Sequence, residues 1–317
     1  MMSQEMWMTE AHKTIELMGT KIRLSFKGQF ADRWVSEACT MLKRYEQVFS
    51  ANNAFSPLSA LTHSAVKEPV VVDSELYELI KIGKAHSLAP NSFLNIAIGP
   101  LIKLWRVGFD EARVPSQSEI DSVLACLDPA YIILDDEHQS VFFAKPGVEI
   151  DLGAIAKGYF SDKIMDFFKQ KNPLSAMIDI GGNLLVYGES PKHSLDWDVG
   201  IQNPFLPRGH SVAKVKITNQ SVVTSGIYER TFEYNGNQYH HIFDSQTGYP
   251  VENNVASLTV ISKTSLDCDI YTTKLFGMPP KRILDSVNGI EGIEAVVITV
   301  DGQLAVSTNL RDKITLA

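Results

Sequence analysis

The first part of the chain combines one strand with several segments of helical spacing. Apolar and polar residues alternate over residues 20–26, which is the period of a half-buried strand. Apolar residues then recur at helical spacing over residues 31–49, 74–89 and 118–127, which predicts three helices, the second capped by Ser74. Residues 50–64 are polar and rich in turn formers, so we expect a loop there.

Beyond Ala130 the pattern changes to short segments rich in β-branched residues and bounded by Asp, Gly, Asn and Pro, which predict strands. These segments are residues 131–134, 141–144, 176–180, 198–201, 213–217, 222–224 and 231–234. Helical spacing returns at 156–170, 266–276 and 281–287, and Asp301-Gly302 is a favoured two-residue hairpin turn. We therefore predict an α+β fold: a single unit over residues 1–317 with two interleaved lobes, mixed or antiparallel sheets and flanking helices.

Composition and charge narrow the class of partner. The 317 residues are 44% hydrophobic and 21% charged, as expected of a globular protein. A formal net charge of -8 disfavours a nucleic-acid partner, because such a chain repels phosphodiester backbones. No apolar run reaches the length of a membrane span, and residues 1–20 lack the pattern of a signal peptide. We expect a cytoplasmic protein in which residues 1–14 form a short extension.

Two glycine-containing segments in the middle of the chain are candidate sites. In residues 95–105, Gly99-Pro100 breaks an apolar run, and Trp105 is either a core residue, which we favour, or a platform for a flat ring. In residues 149–159 we predict a strand carrying Asp151, a tight turn at Gly153 and a helix opening near Ala154. Helix-start amides suit phosphate and turn carbonyls suit a hard cation, but an ordinary turn fits equally well.

The later part of the chain contains two further candidates. Gly181-Gly182 follows Asp179 and allows close approach of a ligand, although hairpin turns use the same pair. Asp269 and Thr273 are spaced to share one helix face, where their oxygens would suit Mg²⁺; the alternative is that Asp269 caps the helix. His241 is either a general base or a structural histidine of a strand whose neighbour, His240, faces the other way.

Taken in order, these segments resemble the ApbE family of FAD:protein FMN transferases. The residues that carry the resemblance are Met18-Gly-Thr20, the segment 95–105, the segment 151–159, Ile180-Gly-Gly-Asn183, Trp197-x-Val-Gly-Ile-x-x-Pro204, Thr224-Ser-Gly-x-Tyr-x-Arg230, His241-Ile-Phe-Asp-x-x-Thr-Gly-x-Pro250 and Asp269-x-x-x-Thr273. The resemblance covers most of the chain and implies a single ApbE-like unit, related to the T-fold.

The resemblance implies a specific reaction and a specific set of residues. Such enzymes use FAD as a substrate with Mg²⁺, attach FMN to a Thr or Ser hydroxyl of an acceptor flavoprotein, and release AMP. The implied FAD-binding residues are Met18, Phe93, Leu94, Asn95, Asp151, Lys157 and Phe243. The implied metal ligands are the carbonyl of Ala154, Asp269 and Thr273, and His241 is the implied catalytic base.

The chain also departs from the family pattern. Asn95 stands where the family often has a carboxylate, and Thr272 stands where some members have a second metal-binding carboxylate. Two alternative functions remain open. The first is an FAD pyrophosphatase, in which water replaces the acceptor hydroxyl at the same metal site. The second is a noncatalytic FAD-binding protein.

Overall fold

A computed structural model describes residues 8–317. It shows an α+β fold of antiparallel sheets and flanking helices, which confirms the predicted class. Residues 1–7 of the predicted extension lie outside the described residues, and the remainder of that segment enters the first strand, which begins at Thr9. None of the described helices is both long enough and apolar enough to cross a bilayer.

The regular elements follow one another in a mixed order along the chain. The helices are α1 (Ala31–Phe49), α2 (Pro57–Ser64), α3 (Ser74–Ser87), α4 (Gly99–Trp105), α5 (Gln117–Leu124), α6 (Ala156–Lys169), α7 (Ser265–Leu275) and α8 (Pro280–Asn288). The strands are β1 (Thr9–Leu17), β2 (Thr20–Gly28), β3 (Val70–Val71), β4 (Ile132–Asp135), β5 (Ser140–Phe143), β6 (Ser175–Ile180), β7 (Asn183–Gly188), β8 (Trp197–Gln202), β9 (Ser211–Ile217), β10 (Ser221–Gly226), β11 (Thr231–Tyr234), β12 (Asn237–His240), β13 (Phe243–Asp244), β14 (Tyr249–Pro250), β15 (Val255–Ser262), β16 (Glu294–Thr299), β17 (Leu304–Val306) and β18 (Ile314–Leu316).

An eight-stranded antiparallel sheet organises the fold, in the order β1-β2-β6-β7-β10-β15-β16-β17. Two three-stranded sheets, β18-β9-β8 and β3-β5-β4, and two ribbons, β11-β12 and β13-β14, complete the strands. In the described residues the two ribbons form no β-ladder with the main sheet, so the strands within residues 231–250 do not belong to that sheet.

Different layers cover the two faces of the main sheet. In β16, Ala295 and Val297 pack in a cluster with α7 and α8, whereas Val296 and Ile298 pack in a cluster with β8 and β9. Each fully buried Val or Ile contributes about 1.5–3 kcal/mol. Because both faces are covered, all of β15 is buried, and its sequence shows no clean alternation of apolar and polar residues.

Most predicted elements are confirmed, and the differences have local causes. Helix α1 has the predicted bounds. The predicted loop at 50–64 contains α2, which Ser56 caps by accepting a hydrogen bond from the Ser59 amide, and α3 is capped by Asp73 in place of Ser74. The strand predicted through Asp151 is wrong: the Asp151 amide donates one hydrogen bond, to the Ile96 carbonyl, and the segment joins no β-ladder.

Candidate active site

Asp269 lies inside α7, and its carboxylate faces the start of α6. The helix is capped by Thr264, whose hydroxyl accepts a hydrogen bond from the Asp267 amide, so the alternative that Asp269 is the cap is wrong. Its Oδ2 accepts a hydrogen bond of 2.5 Å from the Gly158 amide, and the residue is 3% exposed. Two segments 111 positions apart in sequence therefore meet at this carboxylate.

A main-chain carbonyl in the turn before α6 is left without a hydrogen-bond partner in the described residues. Gly158 lies in the first turn of α6, where amides have no acceptor within their own helix. The Gly158 amide donates to Asp269, and the Ala154 carbonyl accepts no hydrogen bond from the described residues. Helix α6 begins at Ala156, as its helical spacing predicted and two residues after the opening expected near Ala154, with Ile155 in a nonhelical conformation at the cap position. A main-chain oxygen is thus available beside a buried carboxylate.

The oxygens around this junction fit a hard cation. Within residues 8–317 the Asp269 carboxylate accepts one main-chain hydrogen bond, from Gly158, and the Asn183 side chain also acts on it, whereas the Thr273 hydroxyl makes no hydrogen bond there. Together with the Ala154 carbonyl, Asp269 and Thr273 offer carboxylate, hydroxyl and carbonyl oxygens, the donor types that Mg²⁺ prefers. The described residues contain no group of three or more His, Cys, Asp or Glu side chains that could hold a metal ion. Asp269 is the single acidic residue among these three oxygen donors.

The electrostatics of Asp269 favour a cation beside it. Burial raises the pKa of the Asp269 carboxyl above its ordinary value, and the positive charge of Lys157, the Gly158 amide and the Asn183 side chain partly oppose that effect. A buried carboxylate is stabilised by further positive charge beside it. A divalent ion bound there would supply that charge.

His241 lies directly after the β11-β12 ribbon, not within a strand as expected. Its Nδ1 lies 3.3 Å from the carbonyl oxygen of Arg230. Because a carbonyl only accepts, Nδ1 must carry the proton, and Nε2 is left with a free lone pair. Burial, followed by the charge of Arg230, lowers the pKa of His241 to about 4. At neutral pH the imidazole is therefore uncharged, with Nε2 ready to accept a proton.

Lys157 connects the two parts of the site. The positive charge of Lys157 lowers the pKa of both His241 and Asp269, so this one side chain acts electrostatically on both. Asp151 belongs to the same neighbourhood: burial raises its pKa, opposed by its bond to the Gly153 amide and by the charge of Arg230. The charges of Lys157 and Arg230 therefore link Asp151, His241 and Asp269 electrostatically.

The segment 93–95 is held mainly by internal contacts. The Phe93 amide donates to the Lys274 carbonyl at 3.0 Å, just beyond Thr273, and its ring rests against Gly277, where an added Cβ would lie 2.1 Å from it. Leu94 is buried in the core. The Asn95 side chain bonds the Ala97 amide and the Leu127 carbonyl, so it fastens two loops together.

The remaining predicted residues occupy turns and core positions. Met18 lies in the tight β1-β2 turn with a left-handed backbone, and its amide donates to Glu46 at 2.6 Å. Phe243 is buried against Trp105, with ring centroids 5.7 Å apart. Trp105 is itself fully buried and donates to the Gly248 carbonyl, which agrees with the favoured core interpretation.

Comparison with known proteins decides the family. The model described as the ApbE family matches residues 18–297. The chain belongs to the ApbE family. The FAD:protein FMN transferase of Klebsiella pneumoniae (strain 342) is 40% identical over 93% of this chain and 91% of its own length. That of Treponema pallidum (strain Nichols) is 34% identical over 88% of this chain and 81% of its own length.

Solved structures agree with this assignment. The crystal structure of the ApbE protein of Thermotoga maritima is 26% identical to this chain, with a TM-score of 0.87 and coverage of 96% of this chain and 99% of that one. The flavin transferase ApbE of Vibrio cholerae is 23% identical, with a TM-score of 0.82 and the same coverage, which supports the fold. The ApbE fold therefore extends over nearly the whole chain.

Some residues of this ApbE-family site were not singled out from the sequence. The Arg230 carbonyl orients His241, and the charge of Arg230 lowers the pKa of Asp151. The Gly158 amide donates the hydrogen bond that Asp269 accepts. Both lie inside motifs of the resemblance, but no local pattern assigns them a role. Gly181 and Gly182 form the β6-β7 hairpin turn, both with positive φ, as the hairpin alternative predicted.

Proposed function

We propose that this chain transfers FMN from FAD to a Thr or Ser hydroxyl of an acceptor flavoprotein and releases AMP, with Mg²⁺ bound at the Asp269 site. The observation that carries the proposal is that the charge of Lys157 acts both on an oriented imidazole, His241, and on the buried Asp269 carboxylate at the start of α6. The Klebsiella and Treponema relatives are both named for this reaction. Phosphoryl-type transfer chiefly needs positioning and charge stabilisation, and these groups supply both.

The cation would be held by the Ala154 carbonyl, the Asp269 carboxylate and the Thr273 hydroxyl. When bound there, it neutralises charge on the diphosphate of FAD, as Mg²⁺ does in other phosphoryl-transfer sites. The hydrogen bond from the Gly158 amide to Oδ2 of Asp269 fixes the orientation of the carboxylate. Lys157 adds a positive charge on the side of His241 without replacing the metal.

His241 acts on the acceptor hydroxyl. Nε2 takes the hydroxyl proton while the hydroxyl oxygen forms a bond to the phosphorus of the FMN half. The bond from that phosphorus to the bridging oxygen breaks, and AMP leaves with that oxygen. The Arg230 carbonyl holds the Nδ1 proton in place, so the base keeps its productive tautomer.

The FAD site is proposed to be lined by Met18, Phe93, Leu94, Asn95, Asp151, Lys157 and Phe243. Phe93 and Lys157 are only partly buried, so their side chains are available to a ligand. Leu94, Asn95 and Phe243 are buried, so we expect them to shape the site from beneath or through the main chain. Of the residues proposed to line the FAD site, Asp151 also lines a small cavity together with Gly99 and Lys103.

The test uses the purified chain, FAD, Mg²⁺ and a protein that the Klebsiella relative modifies. We expect flavin attached to a Thr or Ser of that protein, detected by mass spectrometry, and one AMP released for each flavin transferred. Equal release of FMN and AMP with or without the acceptor would identify a pyrophosphatase instead. Tight FAD binding without AMP release would identify a noncatalytic flavin-binding protein.

A further inference from the structure

Asp162, which the proposed reaction does not use, joins α6 to the start of α7. One carboxylate oxygen accepts a hydrogen bond from the Ser265 amide and the other from the Leu266 amide, each at 2.8 Å. These are the first two residues of α7, whose amides have no partner within their own helix. Asp162 is therefore fully engaged with the main chain of a neighbouring helix.

The same two helices exchange a second hydrogen bond in the opposite direction. Gly158 lies one turn before Asp162 in α6, and Asp269 lies one turn after Ser265 in α7. In the first contact, the Gly158 amide of α6 donates to the Asp269 carboxylate of α7. In the second, the first two amides of α7 donate to the Asp162 carboxylate of α6. We call these four residues with Leu266 the α6-α7 clasp.

Close packing makes the clasp sensitive to small displacements. A Cβ at Gly158 would lie 2.4 Å from the Ser265 carbonyl oxygen, so the helix backbones are already in contact. Buried Asn183 adds a third connection, because its Oδ1 accepts hydrogen bonds from Ser161 and Ser265 at 3.0 and 2.6 Å. The position of Asp269 relative to the Ala154 carbonyl is therefore set by how α7 is seated on α6.

We propose that Asp162 is a positioning residue for the cation site: by holding the first turn of α7 against α6, it aligns Asp269 with the Ala154 carbonyl. This inference rests on the metal site of the proposed function. Asp162 acts through Asp269, since both of its oxygens are occupied by α7 amides. Burial raises the pKa of Asp162 to about 6, so its negative charge is disfavoured at this position. A charged residue retained at such a position is expected to have a function.

The test compares Asp162→Asn with Asp166→Asn, a control one turn further along α6 whose carboxylate is exposed and pairs with Lys169. FAD binding is titrated by flavin fluorescence at increasing Mg²⁺, with no acceptor present. For Asp162→Asn we expect the Mg²⁺ concentration at half-saturation to rise about 10- to 100-fold, as for other residues that orient metal ligands. Without Mg²⁺, Asp162→Asn should bind FAD with the affinity of the unmodified protein. Asp166→Asn should show the Mg²⁺ dependence of the unmodified protein.

An unchanged Mg²⁺ requirement in folded Asp162→Asn would overturn the inference. Should that variant melt below the assay temperature, amide hydrogen exchange in the unmodified chain gives a second test. Adding FAD with Mg²⁺ should slow exchange at Ser265 and Leu266 together with Gly158, because the clasp and the cation site stabilise each other. Protection of Gly158 alone would show that Asp162 is independent of the site.

These measurements separate the inference from the proposed function. Mg²⁺-dependent FAD binding is common to transfer and hydrolysis, so a failure of transfer to the acceptor leaves the test of Asp162 intact. If FAD binding by the unmodified chain does not depend on Mg²⁺, the metal site itself is wrong. A normal dependence that Asp162→Asn leaves untouched refutes only the role of Asp162.

Discussion

The two ends of the proposed site are built in contrasting ways. Asp269 is buried between two helices and held by reciprocal main-chain hydrogen bonds of the clasp. His241 follows a ribbon of two four-residue strands, and its imidazole is oriented by one contact of 3.3 Å. The first end has to bind the same dinucleotide in every turnover. The His241 end has to admit a hydroxyl carried by another protein. A segment held by few contacts is better suited to this than one fixed between helices.

The ribbon is nevertheless fixed at its base. Phe232 and Tyr239 stack across the two strands with centroids 5.4 Å apart, and Tyr239 packs against Trp105 at 5.5 Å. The turn at the tip of the ribbon, Asn235-Gly236, is exposed, and both of its residues have positive φ. The contrast predicts that changes at the clasp alter metal-linked FAD binding, whereas changes at the ribbon alter transfer alone.

Replacing His241 with Ala should have the largest effect that leaves FAD binding intact. Loss of a general base typically costs about 10²- to 10⁴-fold in rate, so we expect a loss of that size in transfer. FAD affinity, measured by fluorescence with Mg²⁺ present, should not change. His240→Ala is the control, because His240 bonds the Val251 carbonyl and has no role in the proposed chemistry. Transfer by His241→Ala at the unmodified rate would remove His241 from the mechanism.

Replacing Gly158 with Ala tests how tightly the clasp end is built. The added Cβ would meet the Ser265 carbonyl at 2.4 Å, so we expect a loss of about 1–3 kcal/mol in the free energy of unfolding and weaker Mg²⁺-linked FAD binding. Gly289→Ala, at a helix end where the nearest atom lies 3.5 Å away, should be nearly neutral. Equal denaturation midpoints for the two variants would contradict the close packing of α6 and α7.

Replacing Gly236 with Ala tests the ribbon end. Its φ of +78° lies in the left-handed region, so the substitution should cost about 1 kcal/mol and disturb the turn. We expect slower transfer with unchanged FAD and Mg²⁺ binding. Gly292→Ala, with a φ of +79° and no atom near its Cβ, imposes the same backbone strain outside the site. If both variants transfer equally well, the ribbon has no part in acceptor use.

The pH dependence of His241 is the smallest expected effect on transfer, because it acts on stability below pH 7. Its folded-state pKa of about 4 lies below the ordinary value of 6.5, so between these values the unfolded chain binds the extra proton. The contribution of His241 to stability therefore increases as pH rises from about 4 to 6.5 and is constant above. Its protonation state should not change transfer near pH 7. An NMR titration of the ring that gives a pKa of 6.5 or higher would contradict the buried, neutral imidazole.

Local pattern predicted the elements with strong amphipathic character and missed those without it. Helix α1, with one apolar face, was found with its bounds, whereas fully buried β15 and the polar edge strand β1 were not predicted. The capping box of α5 begins at Ser116, two residues before the predicted start. Tertiary burial, which periodicity within a segment does not record, decides these cases.

The site was less accessible to local reasoning than the fold. Asp269 and Gly158 meet across 111 positions, and spacing alone left Asp269 as either a helix cap or a ligand. The family resemblance indicated which segments to combine, and the structure gives the contact that joins them: the Gly158 amide, in the first turn of α6, donates to Asp269. The orientation of His241 by Arg230 depends equally on tertiary contact.

The most direct test of a cation held at the α6-α7 junction is a titration of FAD into the unmodified chain and Asp269→Asn, with and without Mg²⁺. We expect Mg²⁺ to tighten FAD binding to the unmodified chain, and to do so in the variant only at much higher concentration. FAD affinity in the absence of Mg²⁺ should be similar for both proteins. An identical Mg²⁺ dependence would contradict the account, because the Asp269 carboxylate would then hold no metal.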